Sequence, residues 1–271
     1  MAEATAALSD DVLLREDAAG VTTLTLNRPR QRNSLSEALM AALTEEMNAV
    51  AEDPSVRVVV LAANGPVFSA GHDLKELTAA RQKEDRGRTY YQDIMKRCST
   101  MMLSILQNPK PVIAKVHGTA TAAGCQLVAT CDLAIAADDA HFATPGVNIG
   151  LFCSTPMVAL SRNVDRKHAM EMLLSGDMVD AAHAAEIGLI NRAVAADLLD
   201  KEVSDLAIKI ASKSSMTVSI GKRAFYDQLE LGISDAYAYT SEVMVKNMLT
   251  HDAEEGVNAF IEKRDPTWED R

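Results

Sequence analysis

Two stretches of this chain have the residue types and spacing to do chemistry: Phe68–Leu74 (FSAGHDL) and Val116–Leu127 (VHGTATAAGCQL). Each reads as a strand end that runs into a helix through small residues. Such a junction exposes backbone N–H groups at the positive end of a helix, where an oxygen bearing negative charge is favoured. Two such junctions facing each other would make a two-donor oxyanion hole. Taken singly, turns of this kind serve packing more often than chemistry. The phosphate-cradling patterns GxGxxG and GxxxxGK[ST] are both absent. His72 in the first loop brings an imidazole, the side chain whose charge changes near neutrality; its other reading is a ring that points away. Cys125 starts the second helix, a position that favours a thiolate, but with no partner base in sequence it reads as packing.

Composition narrows the partners. The 271 residues carry a formal net charge of −11, which excludes a nucleic-acid binder by field alone. Any phosphate-bearing ligand must then be held by a local cluster of cations. Aromatic residues are 4%, too few for a base-stacking platform. No apolar run is long enough to span a membrane. Cys98, Cys125, Cys131 and Cys153 form no CxxC pair, and no Cys/His group has metal-ligand spacing. A reducing compartment follows. The acidic N-terminus MAEATAALSDDVLL lacks the features of a leader, so we expect a cytoplasmic protein, with a mature mitochondrial form as the other reading.

The elements that must position the two loops are α/β in pattern. Val12–Leu14 and Val21–Leu26 read as strands around Gly20, and Ser36–Ala51 as an amphipathic helix. Val56–Ala63 is a β-branched run suited to a strand covered on both faces. Thr78–Arg88 is highly charged and is expected to be a mobile surface segment. A helix over Tyr91–Leu106 leads to a repeat of the pattern: strand Pro111–Val116, small-residue turn, helix Cys125–Ala129, strand Leu133–Ala136. HFATPGVNIGL reads as a turn, and from about Arg166 the chain reads as mostly helical, with one stretch from Met216 to Arg264. Strands alternating with helices argue an α/β fold.

In order and spacing, LNRPRQRNSLS, VRVVVLAANGPVFSAGHDL, PKPVIAKVHGTATAAGCQLVATCDLAIAADDAHFATPGVNIGL and EEGVNAFIEKRDPTW resemble the crotonase (enoyl-CoA hydratase/isomerase) superfamily over Val12–Trp268. The resemblance implies a ββα spiral core over residues 1–195 and a helical C-terminal trimerisation region over 196–271, giving a homotrimer or hexamer. It implies an acyl-CoA thioester as the ligand, no further cofactor and no metal. The thioester carbonyl would be polarised by the backbone N–H groups of His72, after Ala70-Gly71, and of Ala123. Arg28, Asp73, Leu74 and Lys75 would border the coenzyme, with Arg32 a further candidate cation. Phe260 and Lys263 would reach the coenzyme bound to a neighbouring subunit.

The sequence departs from that pattern where proton transfer is expected. Hydration needs two carboxylates for general acid–base work. At the two positions where hydratases of the superfamily carry glutamate, this chain has Gln126 and Gly146. Gln126 cannot accept a proton, and Gly146 has no side chain. Ser154 stands where another branch carries a catalytic aspartate. The resemblance therefore leaves three expectations open: weak hydration, decarboxylation of a malonyl-type thioester assisted by His72, or acyl-CoA binding without turnover.

Overall fold

The computed structural model describes residues 11–271, so the acidic first ten residues, on which much of the compartment reading rests, lie outside it. A hairpin opens the fold. Strand β1 (Leu13–Ala18) pairs antiparallel with β2 (Val21–Leu26) through Ala19-Gly20, both at positive φ, as a tight right-twisted hairpin requires. After helix α1 (Glu37–Glu52), capped by the Ser36 hydroxyl, the chain winds through repeated strand–strand–helix turns. In each turn the first strand joins a large sheet and the second a small one. The pairs are β3 (Val58–Ala63) with β4 (Val67–Ser69), β5 (Val112–Val116) with β6 (Thr119–Thr121), and β7 (Leu133–Ala137) with β8 (His141–Ala143).

The large sheet runs β1-β2-β3-β5-β7-β10, with β10 at Arg192–Val194, and is parallel except for β1. The small sheet runs β4-β6-β8-β9, with β9 at Val179–Asp180, and only the β8–β9 pair is antiparallel. Strand β3 shows why a continuous apolar run suits the centre of this arrangement. Val59 and Leu61 point into the main core, which also contains residues of α1, of α3 (Arg88–Leu106) and of α4 (Ala123–Thr130). Val58 and Val60 point the other way, onto Leu199, Val203 and Ala207 of α8 (Leu199–Ala211).

Two expectations from sequence are corrected. The stretches expected to be turns hold strands β4, β6 and β8 of the small sheet, which are three residues each and carry no periodicity. The helix expected from Met216 to Arg264 is three helices, α9 (Ser215–Leu229), α10 (Ile233–Met248) and α11 (His251–Glu262), broken at Glu230–Gly232 and at Leu249-Thr250. The charged segment ahead of α3 is a run of hydrogen-bonded turns: the N–H groups of Arg81, Lys83 and Arg86 donate to the carbonyls of Thr78, Ala80 and Lys83. Helix α9 is fastened to the core by Asp132, which accepts from the Val112 N–H, from Lys222 Nζ at 2.7 Å and from the Tyr226 hydroxyl.

Candidate active site

Strands β4 and β6 are parallel neighbours, so both deliver their C-terminal ends to the same edge of the small sheet. There β4 passes through Ala70-Gly71-His72 into α2 (Leu74–Ala80), and β6 passes through Ala122 into α4. The two junctions are in contact. A Cβ on Gly71, whose φ is +82°, would lie 3.0 Å from the Ala123 nitrogen and 2.9 Å from the Ala122 Cβ. A Cβ on Gly124 would lie 2.2 Å from the Ser69 carbonyl oxygen. Only glycine permits that approach at either position. The backbone strain at this junction falls on one residue. It is Ala122, at φ 51° and ψ −119°, that occupies a glycine-type conformation, while Ala123 is the first helical residue.

Among the described residues, neither the His72 N–H nor the Ala123 N–H donates to an acceptor in the chain. His72 takes part in a bridge to Leu35 through its neighbours: the Leu35 N–H donates to the Gly71 carbonyl, and the Asp73 N–H to the Leu35 carbonyl. The His72 N–H is thereby left over. Two unpaired donors on touching junctions can together donate to one oxygen, and a carbonyl gaining negative charge is the group they suit.

The first loop is buttressed from below. Buried Asn33 donates from Nδ2 to the carbonyls of Asn64 and Val67, and its own carbonyl accepts from the Ser69 hydroxyl. Ala70 donates its N–H to the Arg32 carbonyl, and the Arg32 side chain is exposed. Arg28 donates to the Ser34 carbonyl at 2.7 Å and reaches Asp73 Oδ2 at 3.2 Å; Asp73 also accepts from the Ser34 hydroxyl and caps α2 through the Lys75 N–H. Arg28 and Asp73 are thus joined in a clasp that positions the loop, with their polar groups turned to each other. Leu74 and Lys75 stand exposed at the start of α2, and among the described residues no partner engages the Lys75 amine.

Around the donors lie buried polar groups without partners. Gln126 Oε1 and the Thr144 hydroxyl are buried without a partner among the described residues, and the His72 ring is buried with its backbone against Leu35. Burial lowers the His72 pKa, so its imidazole is neutral at pH 7. Thr144 was missed by sequence reasoning; only its place before Pro145-Gly146 could have drawn notice. Gly146 has no room for a larger side chain, since a Cβ there would lie 2.8 Å from the Leu151 carbonyl and 2.9 Å from Cys153 Sγ. Cys125 is buried, as the packing reading expects. Burial pushes its thiol up to about 12, outweighing the helix terminus, and it is an uncharged packing group. Phe260 and Lys263 are exposed on α11, which packs on α10.

This geometry meets a clear counterpart among known proteins. The model of the enoyl-CoA hydratase/isomerase family matches residues 16–271. The chain belongs to the enoyl-CoA hydratase/isomerase family. Its crotonase-type fold is shared with solved structures of an enoyl-CoA hydratase of Mycobacterium smegmatis (54% identity, TM-score 0.90, 95% of this chain and 98% of that one). Human enoyl-CoA hydratase domain-containing protein 3 is similarly close, at 46% identity, TM-score 0.91, and 95% and 100% coverage. The mitochondrial rat protein of that name is 48% identical over 249 residues, 92% of this chain and 81% of that protein. The 2,3-dehydroadipyl-CoA hydratase of Escherichia coli is 32% identical over 253 residues, 93% of this chain and 96% of that one. In this family member, no helix among the described residues is long and apolar enough to cross a membrane.

Proposed function

We propose that this chain acts on acyl-CoA thioesters by holding the thioester oxygen between the N–H groups of His72 and Ala123 and so stabilising an enolate, without the glutamate pair of hydratases. The single observation that carries the reading is the contact of the two loops, with the Gly71 backbone packed against the Ala123 nitrogen and both donors unpaired. Each such donor is worth roughly 3 kcal/mol to a developing oxyanion. With Gln126 and Gly146 at the acid–base positions, hydration of a 2-enoyl-CoA loses both proton-transfer groups, each worth about 10²–10⁴ in rate. We therefore expect weak hydration.

A second reading has its own support in His72. The His72 imidazole, buried beside the donors, is placed to relay a proton from water to the enolate carbon. In decarboxylation of a malonyl-type thioester, the bond from Cα to the carboxylate breaks. Carbon dioxide leaves, the electron pair enters the enolate held by the two N–H groups, and Cα then takes a proton. No strong base is needed. Incubation with crotonyl-, 3-enoyl- and methylmalonyl-CoA, followed by mass spectrometry, separates these readings. Tight binding with no product from any thioester would make the chain an acyl-CoA binder. No binding at millimolar ligand would remove the proposal.

The exposed apolar residues of the C-terminal helices, among them Ile233, Tyr237, Leu249, Phe260 and Ile261, suit burial against further copies of the chain. We read the working form as a homotrimer or hexamer, with Phe260 and Lys263 contributing to a neighbour's coenzyme site. Truncation would be a poor test, because the tail also ties the fold: Trp268 donates to the Ser212 carbonyl, and buried Asp252 accepts from the N–H groups of Glu269 and Asp270. Phe260→Ser is cleaner. It should lower the sedimenting mass and weaken thioester binding together; an unchanged oligomer with native affinity would count against the assignment. The four cysteines are free and buried, in keeping with a reducing compartment, the cytoplasm or the mitochondrial matrix.

A further inference from the structure

The turns between α2 and α3 carry charge that the proposed reaction does not use. In a chain of net charge −11, residues 81–88 hold Arg81, Lys83, Arg86 and Arg88 against Glu84 and Asp85. Arg81, Arg86 and Arg88 line one groove with Tyr91, Gln92 and Met95. Among the described residues, none of the three guanidinium groups has an ion-pair or hydrogen-bond partner in the chain. Lys83 is turned aside, its amine 5.3 Å from the centre of the Tyr90 ring.

The one carboxylate on the groove, Asp85, is engaged by the backbone. Its oxygens accept from the N–H groups of Gly87 and Thr89, both at 2.9 Å, and cap the start of α3. The Thr89 hydroxyl and these two N–H groups hold the Asp85 carboxyl down at about 2, so it stays ionised. Three guanidinium groups are therefore gathered about one carboxylate, an excess of positive charge that an incoming anion would offset.

The backbone fixes this gathering. Arg86 sits at φ 55°, a left-handed conformation unusual for a residue with a side chain, held by its N–H to the Lys83 carbonyl. The Tyr91 hydroxyl donates to the Leu77 carbonyl and so ties the groove to α2. Helix α2 starts two residues after His72 and is seven residues long, which places Arg81 roughly 10 Å further along the helix axis. That is within the reach of a ligand as long as an acyl-CoA. Guanidinium forks match the paired oxygens of carboxylates and phosphates.

We propose that the groove of Arg81, Arg86 and Arg88 is an anion subsite that holds a carboxylate or phosphate carried by the thioester ligand. The proposal rests on the acyl-CoA reading above. Two sources share the required chemistry: a carboxylate at the far end of a dicarboxylic acyl chain, and the 3′-phosphate of the coenzyme. Calorimetry of the native protein and of the triple variant Arg81→Gln, Arg86→Asn and Arg88→Gln distinguishes them; asparagine tolerates the left-handed position. The titrants are butyryl-CoA, glutaryl-CoA and butyryl-dephospho-CoA.

If the acyl carboxylate is the anion, the native protein prefers glutaryl- over butyryl-CoA by about fivefold or more, and the variant loses the preference. If the 3′-phosphate is the anion, its removal weakens native binding by a similar factor and leaves the variant unaffected. Either advantage should shrink with added salt. Equal affinities in the two proteins for all three ligands, or a loss uniform across the three, would overturn the subsite. Failure of the native protein to bind butyryl-CoA would instead strike the acyl-CoA reading, and free glutarate and inorganic pyrophosphate then become the probes. A thermal shift with either that is present in the native protein and absent from the variant supports the groove, and no shift with both overturns it.

Discussion

The contact between the two donor loops makes Gly124→Ala the most informative single change. In an exposed helix, this substitution stabilises by roughly 0.5–1 kcal/mol, because alanine has less backbone freedom to lose on folding. Here the added Cβ would fall 2.2 Å from the Ser69 carbonyl oxygen and 2.8 Å from the Ser69 Cβ. Carbon–oxygen contacts settle at roughly 3.3 Å, so α4 and β4 must part by roughly 1 Å. Overpacking of that order costs about 1–3 kcal/mol, reversing the sign expected of the helix alone. Gly221→Ala in α9 is the control, since a Cβ there meets nothing within 4 Å, and it should stabilise.

The same 1 Å acts on function through the Ala123 N–H, which moves away from the His72 N–H. Acetoacetyl-CoA reads this directly, because its enolate absorbs in the ultraviolet and its α-proton is acidic enough to titrate. A two-donor hole should lower the apparent pKa of the bound ligand. Losing one donor's contribution of roughly 3 kcal/mol gives back about two pKa units. The assay is absorbance against pH with ligand saturating in the native protein and in Gly124→Ala, alongside denaturant midpoints for both. Native stability together with an unchanged enolate pKa in Gly124→Ala would refute the claim that these loops touch and that their contact sets the donors.

Three further outcomes are expected. Gln126→Glu, an isosteric change beside the donors, should raise crotonyl-CoA hydration measurably, as followed by loss of enoyl absorbance; the further change Gly146→Glu should add nothing and lower stability, because its Cβ meets Leu151 and Cys153. His72 is held neutral by burial, so its contribution to stability is complete above the ordinary imidazole pKa of 6.5 and is lost as pH falls through the lowered value. The native midpoint of thermal unfolding should therefore drop more steeply from about pH 6.5 to 5 than that of His72→Gln, and parallel curves would refute it. Ala122→Gly should stabilise by about 0.5–1 kcal/mol, since relief of strain of about 1–3 kcal/mol outweighs the added freedom of the unfolded chain; a lower denaturant midpoint would show that the strain at φ 51° is not felt.

How much of this was legible in the sequence depended on the range of the interaction. Features written in neighbouring residues were readable: the apolar run of β3, the amphipathic pattern of α1 and the small residues of both donor loops. The small sheet was not, because a strand such as His141-Phe142-Ala143 is too short for alternation to register and is defined by its partner β6. Nor was the Arg28–Asp73 clasp, whose residues lie 45 positions apart and were both assigned to the coenzyme by family position. The thiol of Cys125 shows the same contrast between local and long-range effects. A helix start favours the anion locally, but complete burial by distant segments decides the balance. Long-range packing sets what such groups do, and it leaves no local signal.

The structure also separates the hole from the side chains that would complete a reaction. Gly71 and Gly124 permit the loop contact, Asn33 and Ser69 support it, and the donors are backbone atoms. Nothing in that set depends on residue 126 or 146, so the chemistry beside the hole can change while the hole stands. The two missing carboxylates are then unlike each other. At Gln126 the difference from glutamate is one terminal group in an existing side chain, and the buried Oε1 already lacks a partner. At Gly146 the Leu151 carbonyl and Cys153 Sγ occupy the space where a side chain would begin, so the neighbouring 151–153 segment has packed onto the backbone. Restoring the first carboxylate is a substitution, whereas restoring the second requires a different course for that segment. If the proposed hole holds the thioester, residue 146 would supply no acid or base to the ligand, and a search for the substrate is best aimed at reactions that need an enolate more than an activated water.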